Sequence, residues 1–363
     1  MSSTWGNNIK ISLFGESHGP AVGVIIDGLP AGQKIDDDKI QKEMCRRKPG
    51  KNKISSPRKE DDIPVILSGI LNGYTTGSPI CCVIKNNNTA PIDYDNIRSL
   101  LRPGHADYTA SVKYKGFNDY RGGGHFSGRL TAPIVFAGAI CKQILEQKGI
   151  FIGGHIYSIG NVMDTEFNSC NVTPSLINSI SKPGLLALID QSISNKMIYE
   201  IEAAKSNNDS IGGIVECAVI GIEPGIGNPM FDGIENKISS IVFGIPAVKG
   251  IEFGSGFKCA CMLGSQHNDN FVYDNDRIIT KTNNHGGILG GISSGMPIIF
   301  RVAVKPTPSI SIAQETVNVL TMQKEVLEIK GRHDPCIVPR VVPVVEAATA
   351  IAIMDILAAD GKL

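Results

Sequence analysis

Two kinds of apolar run alternate along the chain, and their lengths separate predicted strands from predicted helices. The short runs are rich in β-branched residues and are bounded by glycine, proline or polar residues, which is typical of strands. These runs are KISLFG (10–15), VGVIIDGL (22–29), PVILSGI (64–70), SPICCVI (78–84), GGIVECAVIGI (212–222) and PIIFRVAV (297–304).

The longer apolar runs have the spacing of helices. They are IDDDKIQKEMCRRK (35–48), LTAPIVFAGAICKQILEQKG (130–149), FDGIENKISSIVFGI (231–245) and VPVVEAATAIAIMDILAAD (342–360). The run 130–149 has Pro133 in its first turn and ends at Gly149, as helices often do. It is apolar nearly all round, so we expect it to be buried on several sides. The run 342–360 is too short and too charged to cross a bilayer and predicts a core helix.

Composition narrows the class of protein. The 363 residues favour one or two domains, and 35 basic residues balance 35 acidic ones. This neutrality removes the general electrostatic case for binding nucleic acid or an acidic membrane. The nine cysteines form no CxxC pair and no metal-ligand spacing, so we expect reduced, mostly buried thiols and no metal site. Residues 1–19 lack the basic start and apolar core of a signal peptide, so we expect a soluble cytoplasmic protein.

The segment RGGGHFSGR, residues 121–129, places three glycines between two arginines. It is either a basic turn or a place where an anion lies against the main chain. It matches neither the dinucleotide-binding glycine pattern, which follows a strand, nor the phosphate loop GxxxxGK[ST]. A bound phosphate would therefore be held in another way.

Four clusters combine glycine, histidine and charge, and together they resemble a converging active site more than independent turns. The clusters contain His18; Arg102, His105 and Asp107; Arg121, His125, Ser127 and Arg129; and Arg332, His333, Asp334 and Arg340. A basic stretch at 45–62, followed along the chain by further arginines, suits a small substrate with several negative groups, although a solvated loop has the same composition. NNHGGILGGISSGMPI (283–298) and KPTPS (305–309) could hold a phosphorylated cofactor or be ordinary turns. The residues alone predict an enzyme using histidine and aspartate for proton transfer, and leave its reaction open.

At these same residues the chain resembles the chorismate synthase family, through FGESHG, RPGHADYT, DYRGGG, GGILGGISSG and GRHDPC in this order. The resemblance implies one domain over residues 1–363. It also implies an α+β sandwich with helices packed between antiparallel sheets, assembled as a homotetramer. The implied activity is a lyase reaction that converts 5-enolpyruvylshikimate 3-phosphate to chorismate with reduced FMN, the last step of the shikimate pathway. NADPH serves some members as reductant.

The resemblance also implies roles for individual residues. His105 would protonate the leaving phosphate, His18 would protonate the reduced flavin, and Asp334 would help the N5 region of the flavin accept the ring proton. The implied substrate residues are Arg47, Lys53, Arg58, Arg102, Arg129 and Arg332. The implied cofactor residues are His125, Phe126, Ser127, Pro246, Ala247, Gly290, Lys305, Pro306, Thr307, Pro308, Ser309 and Arg332.

The chain departs from the common family pattern at a few of these positions. His125–Phe126 stands where Arg-Ser is frequent, Pro246 where asparagine is frequent, and Lys53 where many members have arginine. KPTPS has a proline where serine is common. Two other functions remain open: a flavin-dependent oxidoreductase acting on a small polyanion, and an inactive anion-binding module. Residues 265–284 are long and polar and predict a partly disordered lid.

Overall fold

The computed structural model describes residues 3–49, 60–87, 99–182, 184–329 and 334–363. The strands are β1 (Thr4–Trp5), β2 (Lys10–Gly15), β3 (Ala21–Asp27), β4 (Pro64–Ser68), β5 (Ile70–Leu71), β6 (Tyr74–Thr75), β7 (Ile80–Lys85), β8 (Phe151–Ile159), β9 (Val162–Met163), β10 (Gly213–Ile220), β11 (Val248–Phe253), β12 (Phe271–Asp274), β13 (Arg277–Thr280), β14 (Ile288–Leu289), β15 (Ile292–Ser293), β16 (Ile298–Val304), β17 (Gln314–Asn318) and β18 (Gln323–Leu327). The helices are α1 (Asp37–Arg47), α2 (Asp107–Lys113), α3 (Thr131–Gln147), α4 (Pro174–Ile180), α5 (Ser194–Ser206), α6 (Ile234–Val242), α7 (Gly264–His267) and α8 (Val338–Ala359).

Two five-stranded antiparallel sheets enclose the long apolar helices. The first sheet has the order β1-β2-β3-β7-β4, and the second has the order β11-β16-β10-β8-β9. Helix α3 packs on β2, β3 and β7, α8 packs on β8 and β10, and the two helices pack against each other. One apolar core therefore runs from sheet to sheet, and the α+β sandwich with helices between antiparallel sheets is confirmed.

The contact between α3 and α8 explains why both helices are apolar all round. A Cβ atom on Gly138 would lie 2.2 Å from the Cβ of Ala347, so the two helices approach as closely as glycine allows. Helix α8 is long and apolar enough to cross a membrane by composition alone, but 94% of its most apolar window is buried within the fold. It is a core helix, as its charged residues predicted.

Two other expectations need correction. Residues 265–284 contain the end of α7 and the regular hairpin of β12 and β13, because Val272, Ile278 and Ile279 supply strand-forming positions in this polar stretch. All nine cysteines are free thiols, but four are buried, three are half-buried, and Cys259 and Cys261 are exposed. Within the described residues no group of histidine, cysteine and carboxylate side chains could hold a metal ion.

Candidate active site

A cavity of about 650 Å³ lies where the glycine segment 121–129, the turn 243–249, the segment 305–309 and the start of α8 meet. Most predicted site residues line it. They are Arg47, Arg102, His105, His125, Phe126, Ser127, Arg129, Pro246, Ala247, Lys305, Thr307, Pro308, Ser309 and Asp334. The fold therefore brings the dispersed motif clusters into one place.

Several predicted residues do not line the cavity. His18 is buried next to Gly122, and Pro306 is exposed. Gly290 lies exposed in the turn between β14 and β15, and no described atom lies within 4 Å of a Cβ atom built on it. The predicted residues Lys53, Arg58 and Arg332 lie outside the described residues.

The three consecutive glycines of the segment 121–129 make room for neighbouring groups. Gly122, Gly123 and Gly124 have φ angles of 59°, 95° and 52°, which L-residues rarely adopt. A Cβ atom on Gly122 would lie 2.2 Å from Cε1 of His18, and one on Gly123 would lie 3.0 Å from Nε2 of His105. Consecutive glycines therefore seat the two predicted catalytic histidines, a use of glycine that we had not predicted.

His105 is held by two residues of its own motif. Its Nδ1 lies 2.6 Å from Oδ1 of Asp107 and 3.1 Å from Nη2 of Arg102. Burial of Asp107 opposes its ionisation, but hydrogen bonds from Arg102 and His105 hold its pKa well below the usual range. The carboxylate is therefore ionised, and Nδ1–H of His105 donates to it.

His18 is oriented from behind the glycines. Oγ of Ser17 donates to the carbonyl oxygen of Arg121 at 3.1 Å and lies 3.1 Å from Nδ1 of His18. Because a hydroxyl has one hydrogen, Oγ accepts the second bond from Nδ1–H of His18. The proton of neutral His18 is thus placed on Nδ1.

His125 uses both ring nitrogens within the fold. Its Nδ1 donates to the carbonyl oxygen of Gly15 at 2.9 Å, and its Nε2 lies 2.9 Å from Oγ of Ser3. The ring ties the N-terminal segment to the glycine segment. A ligand in the cavity would therefore meet the backbone or ring face of His125 and not its nitrogens.

Arg47 and Arg129 are paired with carboxylates that the sequence analysis did not select. Arg47 donates through Nη1 to Asp62 at 2.6 Å, and Arg129 donates to the other oxygen of Asp62 and to Glu60 at 2.8 Å. Burial opposes ionisation of Asp62, but the two guanidinium groups lower its pKa. Burial also lowers the pKa of Arg47. Asp62 lies at the acidic end of the basic stretch 45–62, whose composition is also that of a solvated loop, so the sequence does not indicate that this carboxylate is buried.

Asp334 is paired with Arg340, which lies in the first turn of α8. Nη1 of Arg340 donates to Oδ2 of Asp334, and Nε donates to the carbonyl oxygen of Arg47 at 3.0 Å. Arg340 also lines the cavity. The sequence places Arg340 in the same motif cluster as Asp334, but it does not reveal their ion pair, because the two side chains meet only when α8 has formed.

Other residues of the cavity lining have features that fit a flat, phosphorylated cofactor. Oγ1 of Thr307 is buried and has no hydrogen-bond partner among the described residues, so it can bind a ligand oxygen or nitrogen. Burial, and then Lys249, lower the pKa of Lys305. Ala247 has a φ angle of 76°, a strained conformation of the kind that clusters at ligand sites. Apolar side chains complete the lining, namely Phe126, Ile245, Val248, Ile337, Val341 and Val344.

Comparison with known proteins gives one family throughout. A sequence model of the chorismate synthase family matches residues 9–358. The chorismate synthase of Dehalococcoides mccartyi (strain BAV1) is 48% identical over 362 residues, which cover 99% of this chain and 98% of that protein. The chorismate synthase of Pyrococcus abyssi is 48% identical over 352 residues, 96% of each chain. That of Methanocaldococcus jannaschii is 45% identical over 370 residues, which cover 99% and 97%.

A solved structure is similar in fold. The crystal structure of a chorismate synthase superposes with a TM-score of 0.77 and 28% identity, over 98% of this chain and 93% of that chain. The likeness therefore spans both sheets and the helices between them.

Proposed function

We propose, since the chain belongs to the chorismate synthase family, that the cavity beside residues 121–129 is its active site. The enzyme is a carbon–oxygen lyase of the shikimate pathway that converts 5-enolpyruvylshikimate 3-phosphate to chorismate and phosphate. The observation that carries the site assignment is the seating of His18 and His105 on Gly122 and Gly123, beside buried guanidinium groups.

The buried arginines suit the negative groups of this substrate. Its phosphate and two carboxylates need several hydrogen-bond donors in a site with little water, and guanidinium groups bind such oxygens in pairs. Arg47, Arg102 and Arg129 are each at most 7% exposed and line the cavity. When the substrate binds, one of its anionic groups takes the place of Glu60, the partly exposed carboxylate partner of Arg129.

His105 acts as the general acid in this proposal. In the 1,4-elimination the C–O bond to phosphate breaks and its electron pair leaves with the phosphate. A ring C–H bond breaks as its hydrogen departs as a proton, and its electron pair becomes the additional C=C bond of the product diene. Nε2 of His105 delivers a proton to the departing phosphate, and Asp334, held by Arg340, assists removal of the ring proton.

The cofactor in this proposal is reduced FMN. Bound there, it would supply transient electron density to the breaking C–O bond, without net redox change. Ser127, Lys305, Thr307 and Ser309 supply hydroxyl groups and an ammonium for its polar groups, and Thr307 has the unsatisfied atom that fits this task. His18 remains the proposed proton donor to the cofactor, acting from beside Gly122. NADPH as the reductant is a further proposal from family resemblance.

We also propose a cytoplasmic homotetramer. The outer face of the first sheet supports self-association, because Phe14, Ile25 and Val65 are 37%, 40% and 43% exposed there. Val83 of β7, the strand between β3 and β4, lies on the same face. Val65→Lys should lower the sedimentation coefficient if this face is an interface. An unchanged coefficient would place the contact elsewhere.

An anaerobic assay tests the proposed function. The protein is mixed with 5-enolpyruvylshikimate 3-phosphate and dithionite-reduced FMN, and chorismate and phosphate are followed. Equal release of both, absent with oxidised FMN, is expected. Release with NADPH and oxidised FMN would add flavin reduction to the activity. FMN binding without any release would favour the oxidoreductase, and binding of the anionic substrate without FMN binding or release would favour the inactive anion-binding module.

A further inference from the structure

The RPGHADYT motif contains an aspartate that the family resemblance gave no role. Asp107 lies in the first turn of α2, two residues after His105, and its Oδ1 is 2.6 Å from Nδ1 of that ring. An ionised carboxylate at this distance accepts the Nδ1 proton. The other ring nitrogen, Nε2, lies beside Gly123, 3.0 Å from the position of an added Cβ, and the His105 ring lines the cavity.

Asp107 is itself fixed on both oxygens. Nε of Arg102 donates to Oδ2 and Nη2 donates to Oδ1, each at 2.7 Å, and the backbone N–H of Arg102 donates to Oδ2 at 3.1 Å. Nη2 also lies 3.1 Å from Nδ1 of His105. Because both of these nitrogens carry hydrogen, they do not bond each other; both point to Oδ1 of Asp107.

We propose that Asp107 is a positioning residue for the reaction, which holds the proton of His105 on Nδ1 so that Nε2 meets the leaving phosphate. Arg102 holds Asp107 in place and keeps it ionised. This inference rests on the proposed function, in which His105 is the general acid.

The proton balance follows from this arrangement. The cationic ring carries protons on both nitrogens, and Nε2 gives its proton to the phosphate oxygen as the C–O bond breaks. The Nδ1–H group stays hydrogen-bonded to Asp107, so the neutral ring that remains is the tautomer that the carboxylate stabilises. The ring is recharged at Nε2 alone, without turning.

Kinetics of Asp107→Asn and Asp107→Glu in the reduced-FMN assay test the proposal. An amide can offer either an oxygen or an NH2 group to Nδ1, so the tautomer is no longer selected. We expect Asp107→Asn to lower kcat about 10²-fold with KM changed only a few-fold, as for loss of a correctly protonated acid. Asp107→Glu should recover a large part of kcat. Two results would overturn the proposal. One is a kcat of Asp107→Asn near the wild-type value, and the other is a kcat of Asp107→Glu as low as that of Asp107→Asn.

Asp119→Asn is the matched control. Asp119 also binds an arginine through two oxygens, accepting from Nε and Nη2 of Arg121 at 2.9 and 2.8 Å and from its backbone N–H at 3.0 Å. It does not line the cavity. We expect kcat within about threefold of wild type, because the ion pair is lost without a change at His105. A fall in kcat as large as that of Asp107→Asn would mean that aspartate–arginine pairs in these loops affect kcat by holding the loop conformation, and not by selecting the His105 tautomer.

A second readout does not depend on turnover. Magic-angle-spinning NMR of enzyme labelled with ¹⁵N in its seven histidines reports which ring nitrogen carries hydrogen, and the His105 signals are those missing in His105→Ala. Neutral His105 should be protonated on Nδ1 in the wild type and mixed in Asp107→Asn. An unchanged spectrum would overturn the inference. Normal turnover of His105→Ala would instead defeat the general-acid role of His105 on which this inference rests, while absence of chorismate formation by the wild type would defeat the proposed function.

Discussion

Among the described residues, two histidines are hydrogen-bonded through Nδ1 to an aspartate, one at the cavity and one inside the second sheet. His155 on β8 is fully buried, with Nδ1 3.0 Å from Asp164 and Nε2 2.9 Å from Glu216, its direct cross-strand neighbour on β10. His105 has the same contact through Nδ1, but no described residue is hydrogen-bonded to its Nε2. A histidine–aspartate pair can serve acid chemistry only when the second ring nitrogen is not already bonded within the protein.

The electrostatics of the two sites differ in the same way. Burial by itself lowers the pKa of His155, but hydrogen bonds to Asp164 and Glu216 outweigh it and raise that pKa. Glu216 also accepts from Arg301 at 2.9 Å and from the backbone N–H of Phe167 at 2.7 Å. The charges at His155 are thus balanced by the protein itself, whereas the cavity arginines also serve a ligand.

The largest expected effect is on stability, in His155→Ala. The change leaves Asp164 and Glu216 buried with a lost partner, so we expect the free energy of unfolding to fall by about 3–5 kcal/mol. Denaturant unfolding measures this, and kcat per folded molecule should stay near wild type. A loss below about 1 kcal/mol, within the range of exposed ion pairs, would show that the cluster contributes no more than a surface pair.

The next effect is on turnover, in His105→Ala. Removing the general acid should reduce kcat by about 10²-fold or more, with little change in unfolding because the ring is partly exposed. Chorismate formation in the anaerobic assay measures this. If turnover is normal while unfolding is strongly affected, His105 is structural and the contrast with His155 disappears.

Gly123→Ala should have an intermediate effect on the cavity histidine. The added Cβ lies 3.0 Å from Nε2 of His105 and requires a left-handed backbone, so we expect about 1–2 kcal/mol of destabilisation and a lower kcat. Gly116→Ala is the control, since φ there is 77° but no described atom is within 4 Å of the new Cβ. Equal kcat values for the two variants would remove the steric explanation.

The smallest effect is a pH dependence of stability. His155 has a raised folded pKa, so its contribution is complete below about pH 6.5 and is lost as pH rises through the folded value. Asp164 and Glu216 have lowered folded pKa values, so their contribution is present above about pH 4.5 and is lost as pH falls. Unfolding at several pH values should show a flatter alkaline side in His155→Gln. An unchanged profile would assign the alkaline loss to other groups.

Much of the fold was predictable because burial leaves a periodic trace. The apolar runs at 212–222 and 297–304 became the neighbouring strands β10 and β16, and the runs at 130–149 and 342–360 became α3 and α8. Residues 265–284 were wrongly predicted as a partly disordered lid, since polar strands at a surface hide their pattern. The single-domain prediction and the residue roles remain predictions.

The sequence by itself determined the apolar elements, the family and the motif histidines, because local spacing and ordered motifs are written along the chain. Only the tertiary structure decided which charges meet. The pairing of Arg47 with Asp62, of His105 with Asp107, and of His155 with two carboxylates depends on strand register, helix packing and burial. Two residues of the same type thus acquire different chemistry, because burial and the partner of the second ring nitrogen are determined by atoms that are distant in sequence.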